Sequence, residues 1–75
     1  MPTLDQLRPG DRAEVTAVSG DPALVQRLCE LGLFEGEEVE FLSVAPLGDP
    51  VEIRLGNARL SLRRAEAAGV TVRPG

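Results

Sequence analysis

Seventy-five residues, a formal charge of −4 and no aromatic residue besides two Phe set the limits first. One domain spanning 1–75 is expected, with an aliphatic core supplying about 3–5 kcal/mol. An acidic chain without a stacking surface is disfavoured as a nucleic-acid binder.

A single cysteine excludes an internal disulfide, and there is no charged-then-apolar leader and no apolar run of roughly 18 residues. The expectation is a soluble cytosolic chain without direct membrane insertion, reaching a membrane only through a partner protein. All eight basic residues are Arg, from which nothing functional follows.

In chain order, residues 3–8 read as a helical turn capped by Thr3, with Leu4 and Leu7 near one side and Pro9-Gly10 closing it. Residues 11–18 alternate, Arg12, Glu14 and Thr16 against Ala13, Val15 and Ala17, which predicts a half-buried strand with small inward side chains. Something is expected to pack closely on those small residues, and the next element is the candidate.

That element is a helix over 22–31. Asp21 is a good N-cap, Pro22 suits the first helical position because its missing N–H has no intrahelical partner there, and Gly32 can supply a left-handed C′ residue. At about 100° per residue, Leu24, Val25, Leu28 and Leu31 share one side, opposite Gln26, Arg27 and Glu30. With Gly32 at C′, Leu28 and Leu33 form the apolar pair that accompanies a Schellman ending.

A second strand is predicted over about 36–45. Val39, Phe41, Leu42 and Val44 break the period of two, so a bend or bulge is expected. Residues 45–50, Ala-Pro-Leu-Gly-Asp-Pro, read as a stiff shaped loop with Leu47 at its tip. Val51, Ile53 and Leu55, then Gly56-Asn57, then Ala58, Leu60 and Leu62, predict a hairpin with a two-residue turn. The turn length fixes the register: Leu55 with Ala58, Ile53 with Leu60 and Val51 with Leu62 on the core side, and Arg54 facing Arg59. A short helical turn over 64–68 stops at Gly69, and 70–72 gives a last strand. About five short strands and one inserted helix, with too little core for two stacked sheets, point to a mainly β protein: a small, partly closed, SH3-like antiparallel barrel.

The order Leu7-x-Pro9-Gly10, then Gly20 and Leu24, then Arg27-Leu28-x-Glu30-Leu31-Gly32-Leu33-x-x-Gly36-x-x-Val39, then 45–50, then Leu60-x-Leu62-Arg63-x-x-Glu66-Ala67, resembles the FeoA family over nearly the whole chain. The Glu-Leu-Gly-Leu-x-x-Gly and Ala-Pro-Leu-Gly-Asp-Pro segments at this spacing carry the resemblance. It implies an SH3-like barrel with an extra helix, and a non-catalytic accessory role in bacterial ferrous iron uptake beside FeoB, the membrane permease with a cytosolic GTPase domain. It also implies family-level transition-metal binding and an alternative class, a metal-responsive or peptide-binding regulatory module akin to the C-terminal domain of iron-dependent repressors.

The residues themselves offer little chemistry. Without His, and with Cys29 as the one soft ligand, an intrachain metal site would need carboxylates almost alone, so no metal ligand and no cofactor is assigned. Cys29 is expected to be a small buried thiol on the shoulder of the helix. Glu35, Glu37, Glu38 and Glu40 read as a solvated loop, against the alternative of a cation site or a contact for a basic partner. No residues combine into a catalytic constellation, and no enzyme activity is expected. Arg54, Arg59 and Arg63 read as a mixed-charge sheet face neutralised by Glu14, Glu40 or Glu52, against an acidic-partner patch. Leu33, Phe34, Pro46 and Leu47, on two stiff loops, are the candidate docking residues, with Arg54 and Arg59 beside them. For Leu33 the helix ending already supplies a packing explanation, and weak self-association is left open.

Overall fold

The computed structural model describes residues 2–75, so Met1, the first residue of the expected domain, lies outside the described residues. Five antiparallel strands, β1 (Arg12–Val18), β2 (Glu38–Val44), β3 (Val51–Leu55), β4 (Ala58–Leu62) and β5 (Val70–Pro74), form one sheet in the order β4-β3-β2-β1-β5. Helix α1 (Pro22–Glu30) connects β1 to β2, and a four-residue helix α2 (Arg64–Ala67) connects β4 to β5. The curled sheet closes around Phe41, Ile53, Val15 and Leu62, all fully buried, in a core otherwise aliphatic.

The ends of α1 follow the sequence closely. The Asp21 carboxylate accepts the Leu24 N–H at 2.9 Å, filling one of the orphan donors of the first turn. At the other end Gly32 has φ +95°, the Gly32 N–H donates to the Cys29 carbonyl at 2.9 Å, and the Leu33 N–H donates to the Leu28 carbonyl at 3.1 Å. Those two bonds are the Schellman pair, and Leu28 and Leu33 are both fully buried. The helix is seated by Leu28, with Leu24 and Leu31 half-buried against the core. Cys29, expected to be buried, is a half-buried free thiol outside the core cluster, as a position on the shoulder of the apolar face allows.

Both irregular strands trace to a bulge. In β2 the pairing with β3 shifts between Phe41 and Ser43, which keeps Phe41 inward while letting Val44 oppose Val51, as the broken alternation requires. In β1 the pairing with β5 shifts between Val15 and Ala17, and here the expectation needs correction: Ala17 is exposed. The extra residue moves every later side chain by one position, so only Ala13 and Val15 face inward as predicted. The hairpin register is the predicted one, including Arg54 opposite Arg59, yet Ala58 is exposed because the turn projects beyond the core.

The N-terminal turn is also smaller than predicted, a 3₁₀ turn over Leu4–Gln6. Thr3 does not cap it with its hydroxyl, which bonds the Asp5 carboxylate instead. The Thr3 N–H donates to Gln6 Oε1 at 2.9 Å. Leu4 is fully buried, and the same segment runs along β5, through a Thr3–Thr71 bridge and a bond from the Val72 N–H to the Pro2 carbonyl at 3.0 Å. The outer edge of β5 is thereby covered.

Candidate functional site

Two corners of the barrel carry the apolar residues singled out above. The first is the turn after α1. Leu33 is fully buried, so its side chain belongs to the core and is withdrawn from any docking surface; its contact with Leu28 closes the helix. Phe34, one residue on, is 52% exposed. The turn beneath it is pinned to β1, with the Gly36 N–H donating to the Val15 carbonyl at 2.7 Å and the Val15 N–H to the Glu37 carbonyl at 2.8 Å. An aromatic ring is thus held half out of a fixed backbone.

The second corner is the loop over 45–50. Leu47 is 96% exposed at its tip, beside exposed Pro46. The loop is closed on itself by the Gly48 N–H to the Ala45 carbonyl at 2.7 Å and the Ala45 N–H to the Pro50 carbonyl at 3.0 Å. It is then clamped by Arg64, whose Nε donates to the Gly48 carbonyl at 2.9 Å and whose Nη1 donates to the Asp5 carbonyl at 3.0 Å. In return Asp49 Oδ1 accepts the Arg64 backbone N–H at 2.9 Å.

That exchange has a local cause. Helix α2 begins after Arg63, which has no side-chain oxygen with which to cap the first turn. Glu66 reaches back to the Arg63 N–H at 2.9 Å, and the next orphan donor, on Arg64, is met by Asp49 from 15 residues upstream. Sequence reasoning missed Asp49 and Arg64; the usable signal was a helix start without a capping residue of its own. Replacing Asp49→Ala is expected to lower stability by about 1 kcal/mol, the usual cost of losing a cap. Chemical denaturation checks this, and an unchanged midpoint contradicts it.

The two corners are not one surface. The Phe34 turn leads into the start of β2 and the Leu47 loop leaves its end, so seven residues of strand intervene. At about 3.3 Å per residue that is about 20 Å along the strand, a large part of a molecule measuring 29 × 25 × 25 Å.

Arg54 and Arg59 stand directly opposite each other and are held apart energetically by carboxylates: Arg54 meets Glu40 at 3.5 Å and Arg59 meets Glu52 at 3.7 Å. Arg73 pairs with Glu14. For Arg54 and Arg59 this is the mixed-charge face of the first expectation, with pairs largely at the surface and worth little to stability. Arg63 departs from it: among the described residues no carboxylate lies within 4.0 Å of its guanidinium, and Glu14 is taken by Arg73. On the Phe34 side, Arg12, Glu37, Glu38, Glu40 and Arg54 line an open cleft of about 390 Å³ above Val39 and Gly56. Three carboxylates against two guanidinium groups leave the cleft with a small net negative charge. Among the described residues no group of three or more Asp, Glu, Cys or His side chains is placed to hold a metal ion.

Fold and corners together define a small SH3-like barrel with an inserted helix and two braced, partly apolar tips. The chain belongs to the FeoA family: the FeoA domain matches residues 3–74. It is 36% identical over 69 residues to an Fe(2+) transport protein A/Fe(2+) transporter FeoB fusion protein of Porphyromonas gingivalis, a match spanning 92% of this chain and 8% of the fusion. The solution structure of the FeoA protein of Chlorobium tepidum superposes with a TM-score of 0.90 at 46% identity, over 97% of this chain and 70% of that one. A zinc-complexed FeoA of Stenotrophomonas maltophilia, described as an SH3 domain protein, gives 0.84 at 35% identity, over 97% and 91%. A manganese-dependent transcriptional repressor shares the fold alone, with a TM-score of 0.91 at 18% identity over 99% of this chain and 36% of that one. Among the described residues no helix is long and apolar enough to cross a membrane.

Proposed function

We propose that this chain is a non-catalytic, cytosolic accessory protein of bacterial ferrous iron uptake, which docks on the cytosolic part of a FeoB-like transporter and modulates its assembly or nucleotide cycle. The observation that carries this reading is the Porphyromonas gingivalis fusion, in whose name a transport protein A and FeoB are one chain. A short tether presents one module to another at roughly millimolar effective concentration. Modules kept together that way in one organism are the natural partners when they occur separately. The Stenotrophomonas maltophilia protein, named as possibly acting as a bacterial ferrous iron transport activating factor, supports the same direction.

For the docking point the reading takes the Leu47 corner. A leucine held 96% exposed by a loop with internal bonds and an arginine clamp loses little conformational freedom on binding, which favours affinity. Burying such a side chain is worth about 1.5–3 kcal/mol. Leu47→Glu is therefore expected to leave the fold intact and to weaken binding to the transporter's soluble domain by at least about tenfold. Co-purification with and without guanine nucleotide measures it; a folded Leu47→Glu protein that binds as well as the wild type removes this corner from the reading.

The regulatory-module alternative has the repressor likeness in its favour, at the level of fold only. It predicts heat on titration with Mn(II) or Fe(II), and a silent calorimeter trace counts against its metal-responsive form.

A further inference from the structure

The sheet has two outer edges and they are treated differently. Residues 2–3 lie along β5, whereas β4 pairs only with β3 among the described residues. A two-residue turn makes Leu55 and Ala58 a hydrogen-bonded pair, so the alternation of an antiparallel ladder assigns the inward N–H and C=O groups of β4 to Ala58, Leu60 and Leu62. The main-chain groups of Arg59 and Ser61 then point outward. Both residues are exposed, and neither main chain bonds another element among the described residues. This is an unpaired ladder on offer.

Its charge identifies the occupant. Arg59, Ser61 and Arg63 follow one another at every second position, and Arg63 keeps extended backbone, with φ −66° and ψ 146°. Arg59 has only the loose contact with Glu52, and Arg63 has no carboxylate within 4.0 Å among the described residues. In a chain of net charge −4 the open edge is therefore locally basic. On the inner side Leu60 is half-buried and packed against the core at the same edge. A second copy is a poorer fit because its β4 brings no carboxylate: antiparallel β4–β4 pairing centred on Ser61 sets Arg59 against Arg63, and pairing centred on Leu60 sets Arg59 against Ser61.

We propose that the outer edge of β4 accepts an extended segment of a partner protein in which acidic and apolar residues alternate. Its carboxylates lie over Arg59 and Arg63, its apolar side chains continue the core past Leu60, and its backbone bonds Arg59 and Ser61. The edge uses Arg59, Ser61 and Arg63, whereas the Leu47 loop meets the chain one residue later, at Arg64.

The test titrates ¹⁵N-labelled protein with a capped Glu-Val-Thr-Val-Glu peptide, alongside the same peptide N-methylated at its Thr and last Glu, and one with Lys replacing both Glu. The expected result is amide shifts concentrated on 58–62, lost with either control peptide, reduced at least tenfold in affinity by Arg59→Glu with Arg63→Glu, and unchanged by Leu47→Glu. Absence of localised shifts at millimolar peptide overturns the proposal, as does equal binding of the N-methylated or lysine peptide. Loss of binding in Leu47→Glu moves the peptide to the other corner and also overturns it. Concentration-dependent shifts of 58–62 without peptide overturn it in favour of self-pairing. Because the transporter is absent from this titration, its failure leaves the co-purification result standing, and the reverse holds too.

Discussion

Leu28→Ala is expected to remove most of the protein's stability at 25 °C. Leu28 is fully buried, and removing three carbons from such a site costs about 2–5 kcal/mol, transfer and cavity together. A single-core domain of this size has about 3–5 kcal/mol in total. The loss is unusually hard to relax, because Leu28 is also the anchor of the helix ending: its carbonyl accepts the Leu33 N–H at 3.1 Å, and Leu33 packs beside it. Collapse of the cavity would have to move α1, the Gly32 turn and the start of the Phe34 corner together. Far-UV circular dichroism during a urea titration reads the effect, and a stability loss below about 1 kcal/mol would contradict the view that Leu28 seats the helix. Leu28→Met, which conserves volume, is expected to cost less than about 1.5 kcal/mol.

The second large effect is expected from Gly69→Ala. A Cβ at Gly69 falls 2.4 Å from the Ser19 carbonyl oxygen, well inside contact distance and against backbone that has no free rotamer. The two segments cannot simply part, because the Ser19 N–H donates to the Gly69 carbonyl at 2.7 Å and the neighbouring Val18 and Val70 pair across β1 and β5. Relief requires opening that joint, at about 1–3 kcal/mol. For a domain this small that corresponds to a fall in Tm on the order of 10 °C by calorimetry. Helix α2 ends two residues before Gly69 and supplies the Arg64 clamp, so the Leu47 loop should loosen as well. Faster amide exchange at Gly48, whose N–H closes the loop on Ala45, is the second readout. A variant with unchanged Tm would show that the close approach is not a constraint.

Docking residues could be named but not grouped: Leu33, read with Phe34 as a candidate contact, is in the core, while Phe34 and Leu47 are exposed at opposite ends of β2. Arg54 and Arg59 could be paired from the turn length alone, and their partners Glu40 and Glu52 were among the carboxylates expected to neutralise them. Ala17 was misplaced because alternation assumes an uninterrupted ladder, and the bulge in β1 arises from its pairing with β5, more than 50 residues away. For β2 the broken alternation was visible in the strand itself, so its bulge could be expected.

The sequence alone determined the limits of α1, the Schellman turn and the register of the β3–β4 hairpin. Each is fixed by residues within about five positions of one another, through caps, a left-handed glycine and turn length. Only the tertiary structure decided that Asp49 caps α2 while Arg64 holds the Leu47 loop, that the two apolar corners stand apart, and that β4 keeps an open edge while residues 2–3 cover β5. These features depend on which distant segments meet when the sheet curls, and a chain of alternating side chains states which face is buried without stating what will lie beside it.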